Sequence, residues 1–195
     1  FCECCGEGYE GKIECIFLCP NCQHLEFNFT FARAALRNTH TNHQLVVDFK
    51  YLKKFYLANE LALFCKEAME RDQRFSELPS PVFIPVPLHW RRKWQRGFNQ
   101  AAEISHQLTK LTHIPTHNAL SRTSNTKTQT RLGRSDRLKN LEGAFRFSNL
   151  EPHFKSAILV DDVFTTGSTA TACAEVLKKH APQLENIVVL TALRG

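Results

Sequence analysis

Apolar positions along the chain fall into two spacings. Val82-Phe83-Ile84-Pro85-Val86-Pro87, Ala157-Ile158-Leu159-Val160 and the segment Asn186 to Leu193 are near-continuous apolar runs. Such runs lack the alternation of a half-exposed strand, so they predict strands buried on both faces, as in a parallel sheet. Phe27 to Leu36 is dominated by aromatic and apolar residues and predicts a strand or a strand pair. Helical spacing fills the intervals. His43 to Arg71 predicts two helices, the first with Leu45, Val46, Phe49, Leu52 and Lys53 on one face. The second carries Leu57, Leu61, Leu63, Phe64 and Met69. A further helix is predicted from Asn99 to about Thr109, with Ala102, Ile104, Ser105 and Leu108 toward the core. Ala172, Val176 and Leu177 mark another after residue 169. The breaker SELPSP at 76–81 separates helix from strand. Buried strands alternating with helices predict an α/β fold with a parallel sheet flanked by helices.

The 195 residues fit one domain with a small appendage, and 43% hydrophobic content is enough for a packed core. The division expected is a metal-binding module at 1–26 and a main domain at 27–195. No apolar run reaches the length needed to cross a membrane. The chain begins at Phe1 rather than Met, which leaves room for upstream residues, a removed targeting segment included. A net charge of +6 favours an anionic partner: a nucleotide, a pyrophosphate or a nucleic acid.

Candidate chemistry concentrates in Ala157 to Thr169, AILVDDVFTTGST. A buried strand ends in two carboxylates, Asp161 and Asp162. The small-residue loop Thr165, Thr166, Gly167, Ser168 and Thr169 follows and runs into a helix. Loop N–H groups and the helix dipole both favour an anion there. The two acids suit sugar hydroxyls, directly or through a divalent ion bridging to phosphate oxygens. The stretch predicts a phosphorylated sugar at the carboxyl end of a parallel strand, where open α/β sheets hold ligands. The alternative is a βα turn whose Thr and Gly merely cap the helix.

Cys2, Cys4, Cys5, Cys15, Cys19 and Cys22 crowd the first 22 residues. Cys2-x2-Cys5 and Cys19-x2-Cys22, separated by residues 6–18, have the spacing of a structural Cys4 zinc site. Gly6 and Pro20 suit the two tight turns. Cys4 and Cys15 are spare thiols, either of which could replace a ligand, and His24 is a weaker alternative. A disulfide framework is the competing reading. A module with so little core of its own is expected to be folded by its metal.

Two basic stretches remain. Trp90, Arg91, Arg92, Lys93, Trp94 and Arg96 lie within eight positions and suggest a phosphate-contacting or single-strand stacking surface. The competing reading makes both Trp side chains core or interface anchors. Residues 121–140 hold six Lys or Arg against Asp136, a polar stretch too long for a simple connection; it reads as a lid or binding loop that folds over a pyrophosphate, or equally as a solvated surface loop. Lys50, Lys53 and Lys54 interrupt an apolar run and read by themselves as a solvated helix face.

Residues 157–169 closely resemble the phosphoribosyl pyrophosphate (PRPP) motif of type I phosphoribosyltransferases: four apolar residues, two acids, two mostly apolar residues, then T-T-G-x-T. The whole chain resembles the ComF family. That likeness rests on the paired cysteines, Phe49-Lys50-Tyr51, Pro85-Val86-Pro87 and Arg96-Gly97-Phe98-Asn99-Gln100, and on Gln129, Leu132, Arg137, Asn140 and Ala144-Phe145. It implies a phosphoribosyltransferase-type fold, with PRPP and Mg2+ held at Asp161, Asp162 and residues 165–169. It also implies that Lys50 and Tyr51 lie on the pyrophosphate side, with Arg96, Lys127, Arg131 and Arg137 as lid or phosphate contacts. The family is linked to DNA uptake in natural transformation, which implies other competence proteins at the inner membrane as partners; together with the basic, aromatic surface at 89–98 it makes single-stranded DNA an expected partner.

Three functions follow as expectations: a PRPP- or nucleotide-binding competence protein that also contacts single-stranded DNA; an active, pyrophosphate-releasing phosphoribosyltransferase of nucleotide metabolism; and a zinc-dependent nucleic-acid-binding module whose PRPP site is vestigial. The absence of apolar spans and the thiol-rich module point to the cytoplasm.

Overall fold

A computed structural model describes residues 1–8, 11, 17–52, 54–123 and 140–195. Four strands form a wholly parallel sheet: β1 (Ala32–Leu36), β2 (Pro81–Pro85), β5 (Ser156–Phe164) and β6 (Asn186–Arg194), in the spatial order β1-β6-β5-β2. The α/β class with helices flanking a parallel sheet is as the apolar runs predicted. A short antiparallel pair, β3 (Leu120–Arg122) with β4 (Phe145–Phe147), stands apart from the sheet.

The near-continuous apolar character of β5 and β6 follows from their central places. Ile158 and Val160 face one layer and Ala157 and Leu159 the other, all fully buried. Burying Ile158, Leu159 or Val160 contributes about 1.5–3 kcal/mol each over exposure. The first layer packs on α2 (His40–Tyr51), α3 (Leu57–Arg71) and α5 (Gln100–Thr112) through Phe49, Leu61, Cys65, Ile104 and Leu108. The second packs on α6 (Ser168–His180), the β3–β4 pair and the cysteine segment, through Cys173, Leu177, Phe145 and the four cysteines 2, 5, 19 and 22. That segment includes a single helical turn, α1 (Pro20–Gln23).

The remaining helix, α4 (Trp90–Arg96), precedes α5 and buries none of its residues. The junction between them explains the Arg96-to-Gln100 sequence. Gly97 ends α4 at φ +85°, a left-handed conformation natural to glycine. Phe98 is buried between Phe49 and Phe55, with ring centroids 5.2 and 4.7 Å away. Asn99 caps α5 by accepting from the Ala101 N–H at 3.2 Å and donates its own amide to the Val86 carbonyl at 3.1 Å.

Two details depart from the expected helix faces. Leu63 and Leu52 are exposed, because the buried stripe of α3 runs through Leu57, Ala58, Leu61, Ala62, Cys65 and Met69, and Leu52 is already past the end of α2. In α5, Ala101 rather than Ala102 is fully buried. Among the described residues no helix is long and apolar enough to cross a membrane.

Connectivity places the carboxyl ends of β2 and β5 at a reversal. From β2, α5 carries the chain outward to Thr116, which bridges Phe83 on the side of β2 away from β5. From β5, α6 carries it the opposite way, to β6. Ligands of open α/β sheets occupy the crevice where such a reversal occurs.

Candidate functional site

Asp161 and Asp162 lie in the last turns of β5's ladder, Asp161 paired with Thr191 of β6. Their neighbours are cationic. Lys50, in the final turn of α2, reaches the Asp162 carboxylate at 3.0 Å, and both side chains are largely buried. From β3, Arg122 lies across the Phe145 ring, its guanidinium carbon 5.3 Å from the centroid, and acts electrostatically on Asp161. Arg92 in turn acts on Arg122 and is itself affected by Arg96. Burial pushes Asp161 up to about 7, the negative charge of Asp162 adds to the rise, and Lys50 and Arg122 only partly oppose it. A carboxyl held this way gains by meeting a divalent cation.

The loop that follows needs its glycine. Gly167 has φ +74° and caps the N-terminus of α6; a Cβ there would lie 2.8 Å from Phe164 Cζ and 3.0 Å from Phe27 Cε1. Thr166 and Ser168 hydroxyls share a hydrogen bond of 2.8 Å, and Thr165 is exposed. Thr169 opens the first turn of the helix, so the segment has the backbone shape of an anion-binding turn.

Tyr51 and Arg96 meet at the rim: the guanidinium carbon is 5.2 Å from the ring centroid, and Arg96 donates to the Gln100 side chain at 3.0 Å. Lys127, Arg131 and Arg137 lie outside the described residues. Trp90 and Trp94 are 63% and 87% exposed, so neither is a core anchor. His89, buried beneath α4, accepts from the Arg91 N–H at 3.3 Å and starts the helix. The side chains of Tyr51, Leu52, Phe55 and Tyr56 are exposed as well, which adds aromatic surface beside α4. The sequence reading missed this extension, as it missed the electrostatic action of Arg122 on Asp161; only the inclusion of Arg122 in a basic stretch hinted at the latter.

The two cysteine pairs come together. The sulfur atoms of Cys2, Cys5, Cys19 and Cys22 lie within 4.8 Å of one another, all four residues buried. A tetrahedral zinc with bonds of about 2.3 Å needs sulfurs about 3.8 Å apart, and Cys5 and Cys19 are 3.6 Å apart. No disulfide joins the described cysteines. Cys4 is not part of the group, and Cys15 lies outside the described residues. Burial pushes Cys5 up to about 11, and burial together with the neighbouring thiols raises Cys22 as well. Cys2 is buried too, but backbone N–H groups bring it down to about 7. Four packed thiols of this kind are stable as thiolates only around a cation, so the donor set fits zinc.

The segment is pinned to the sheet by backbone and by Arg33. The Ala32 N–H donates to the Cys4 carbonyl at 2.6 Å. Arg33 Nη1 donates to the carbonyls of Cys2 and Glu3, each at 3.3 Å, while its Nε meets Asp72 at 2.6 Å.

No family model matches the chain. It is 38% identical over 139 residues to Competence protein F of Haemophilus influenzae, covering 69% of this chain and 61% of that protein. It is 33% identical over 139 residues to the DNA utilization protein YhgH of Escherichia coli K12, covering 70% and 60%. Against Competence protein ComFC of Bacillus subtilis the identity is 36% over 96 residues, covering 49% and 38%. The chain thus spans about three fifths of the length of the first two relatives. With the paired cysteines, the Arg96-to-Gln100 junction and the Asp161–Thr169 loop all present in one chain, these similarities identify it as a member of the ComF family.

Proposed function

We propose that the chain is a phosphoribosyltransferase-like protein that binds PRPP with Mg2+ and supports DNA uptake, contacting single-stranded DNA through α4. One observation carries the ligand assignment: the half-buried Asp161–Asp162 pair at the end of β5, directly before a glycine-capped helix N-terminus and ringed by Lys50 and Arg122. Acids for a divalent ion and ribose, N–H groups for the 5′-phosphate and cations for the pyrophosphate are the groups PRPP requires. Asp161, Asp162 and residues 165–169 hold the ligand; Lys50, Tyr51 and Arg96, with Lys127, Arg131 and Arg137, serve the pyrophosphate side. Asp161 and Asp162 would hold Mg2+, which would supply positive charge against the phosphates. Residues 1–26 act as a zinc-held module and 27–195 as the binding domain. The names of the relatives, competence protein and DNA utilization protein, support the biological setting, which is cytoplasmic and involves competence proteins at the inner membrane.

A thermal-shift experiment tests the ligand assignment. PRPP at about one hundred times its Kd stabilises a protein by about 2.7 kcal/mol, which raises Tm by about 5–11 °C for a chain of this size. The shift is expected with Mg2+ and PRPP together and absent in the Asp161→Ala, Asp162→Ala variant. An equal shift in that variant would overturn the assignment.

Catalysis is the second reading, favoured by Lys50 and Arg122, which bring positive charge to the acids in a partly enclosed site where a leaving pyrophosphate would be stabilised. Release of pyrophosphate on adding a base or amine acceptor would establish it.

A further inference from the structure

Arg194, the last residue of β6, pairs with Phe164 at the end of β5, and its side chain turns back over the loop. One guanidinium nitrogen, Nη1, donates to the carbonyls of Phe164 at 2.8 Å and Thr165 at 2.7 Å. The other, Nη2, meets the Glu7 carboxylate at 2.5 Å and Cys5 Sγ at 3.9 Å. The guanidinium also lies over the Phe164 ring, 5.1 Å from its centroid, and that ring is the one closing on Gly167. Glu7 is itself held in the first cysteine turn, where its carbonyl accepts from the Cys2 N–H at 2.8 Å. A single side chain therefore touches the backbone just before the glycine turn and a thiol of the four-cysteine group.

We propose that Arg194 is a positioning residue that couples the two sites, so that metal bound by the cysteines sets the conformation of the Phe164–Gly167 loop. The inference rests on the loop being a phosphate-binding loop and on the cysteines holding zinc. The physical reason is charge. A zinc ion with four thiolates carries a net charge of about −2, and buried excess charge requires cations. Arg33, Arg74 and Arg194 contact this segment among the described residues, and of these three Arg194 is the one that also donates to the loop. With metal bound, the thiolate and Glu7 hold the guanidinium, and the guanidinium holds the two carbonyls. Without it, nothing draws the four sulfurs together, the segment loosens, and the carbonyls of Phe164 and Thr165 lose their shared donor. Arginine is suited to this because its planar fork reaches four acceptors at once, which a lysine ammonium on a flexible stem does not.

Hydrogen exchange on the full chain tests the coupling without needing the phosphate ligand. The comparison is zinc-loaded against chelator-treated protein, for wild type and for Arg194→Gln and Arg194→Lys. In wild type, metal removal is expected to speed exchange at residues 164–168 about tenfold or more, while β2 keeps its protection. Zinc-loaded Arg194→Gln is expected to show the fast loop already, with chelation adding little, and Arg194→Lys should not rescue it. The cobalt-substituted proteins give a second readout, since losing the donor to Cys5 should shift the sulfur-to-cobalt charge-transfer band with four sulfur ligands retained. If chelation unfolds the whole chain, the metal-loaded variants alone decide. An unchanged loop exchange rate and an unchanged band in Arg194→Gln would overturn the proposal. A failure of PRPP to bind wild type would instead count against the ligand assignment and leave these results to be read separately.

Discussion

Asp161→Asn is predicted to stabilise the ligand-free protein at alkaline pH while destroying its ligand site. The Asp161 carboxyl rises from 3.8 to about 7 in the folded chain, first by burial and then by the charge of Asp162. A carboxyl with a raised folded value binds its proton more tightly in the native state than in the unfolded one. Between pH 4 and 7 the folded state therefore holds protons that the unfolded state has released, and stability falls as pH rises through that window. Each pH unit across it costs about 1.4 kcal/mol. Asparagine keeps the shape and cannot ionise, so it escapes the loss. The stability advantage of Asp161→Asn over wild type should thus widen by about 2–3 kcal/mol between pH 5 and pH 8. Urea denaturation of both proteins across that range, in chelexed buffer with zinc retained, measures it. A gap that stays flat with pH, or a variant less stable than wild type at pH 8, would refute the argument. The same reasoning makes divalent-ion binding proton-linked, so ligand affinity should climb with pH through about 7.

Gly167→Ala forces a left-handed residue to carry a Cβ into the Phe164 and Phe27 rings. It should cost about 2 kcal/mol or more, and calorimetry should show Tm lower by about 4–8 °C. Cys22→Ser removes one of four clustered thiols and should release the metal in a colorimetric chelator assay. Loss of the cluster should also lower Tm by far more than a surface substitution does, since cluster formation and folding are linked. Trp94→Ala, at a side chain 87% exposed, should leave Tm unchanged. Its affinity for a single-stranded oligonucleotide by anisotropy should fall by about 5- to 150-fold, the worth of one stacked base; undiminished affinity would remove α4 from the DNA path.

Legibility differed by element for physical reasons. The β5–loop–α6 unit was readable because its signal is local: an apolar run, two acids and small residues before a helical period all lie within 25 positions. The four-thiol group was readable because each pair sits on one tight turn, which needs no knowledge of the fold. The helix α4 was not, since WRRKWQR buries nothing and so carries no apolar period; its caps, His89 and Gly97, were the remaining clue. Leu63 was misplaced because α3 is apolar over more than one face, and only packing on β1 and α5 selects the stripe. The electrostatic action of Arg122 on Asp161 and the bonds of Arg194 to Phe164, Thr165 and Cys5 join positions from 29 to 189 apart in the chain, and no spacing rule announces such pairs. Strand order is similar: β6 closes last in sequence yet lies between β1 and β5, which its near-continuous apolar run allows but does not dictate.

Isothermal titration of the zinc-loaded protein with PRPP and Mg2+, beside the Asp161→Ala, Asp162→Ala variant, tests the central claim most directly. The account predicts saturable binding in wild type that requires Mg2+ and vanishes in a variant that remains folded. No heat in wild type, or undiminished binding in the variant, would contradict it.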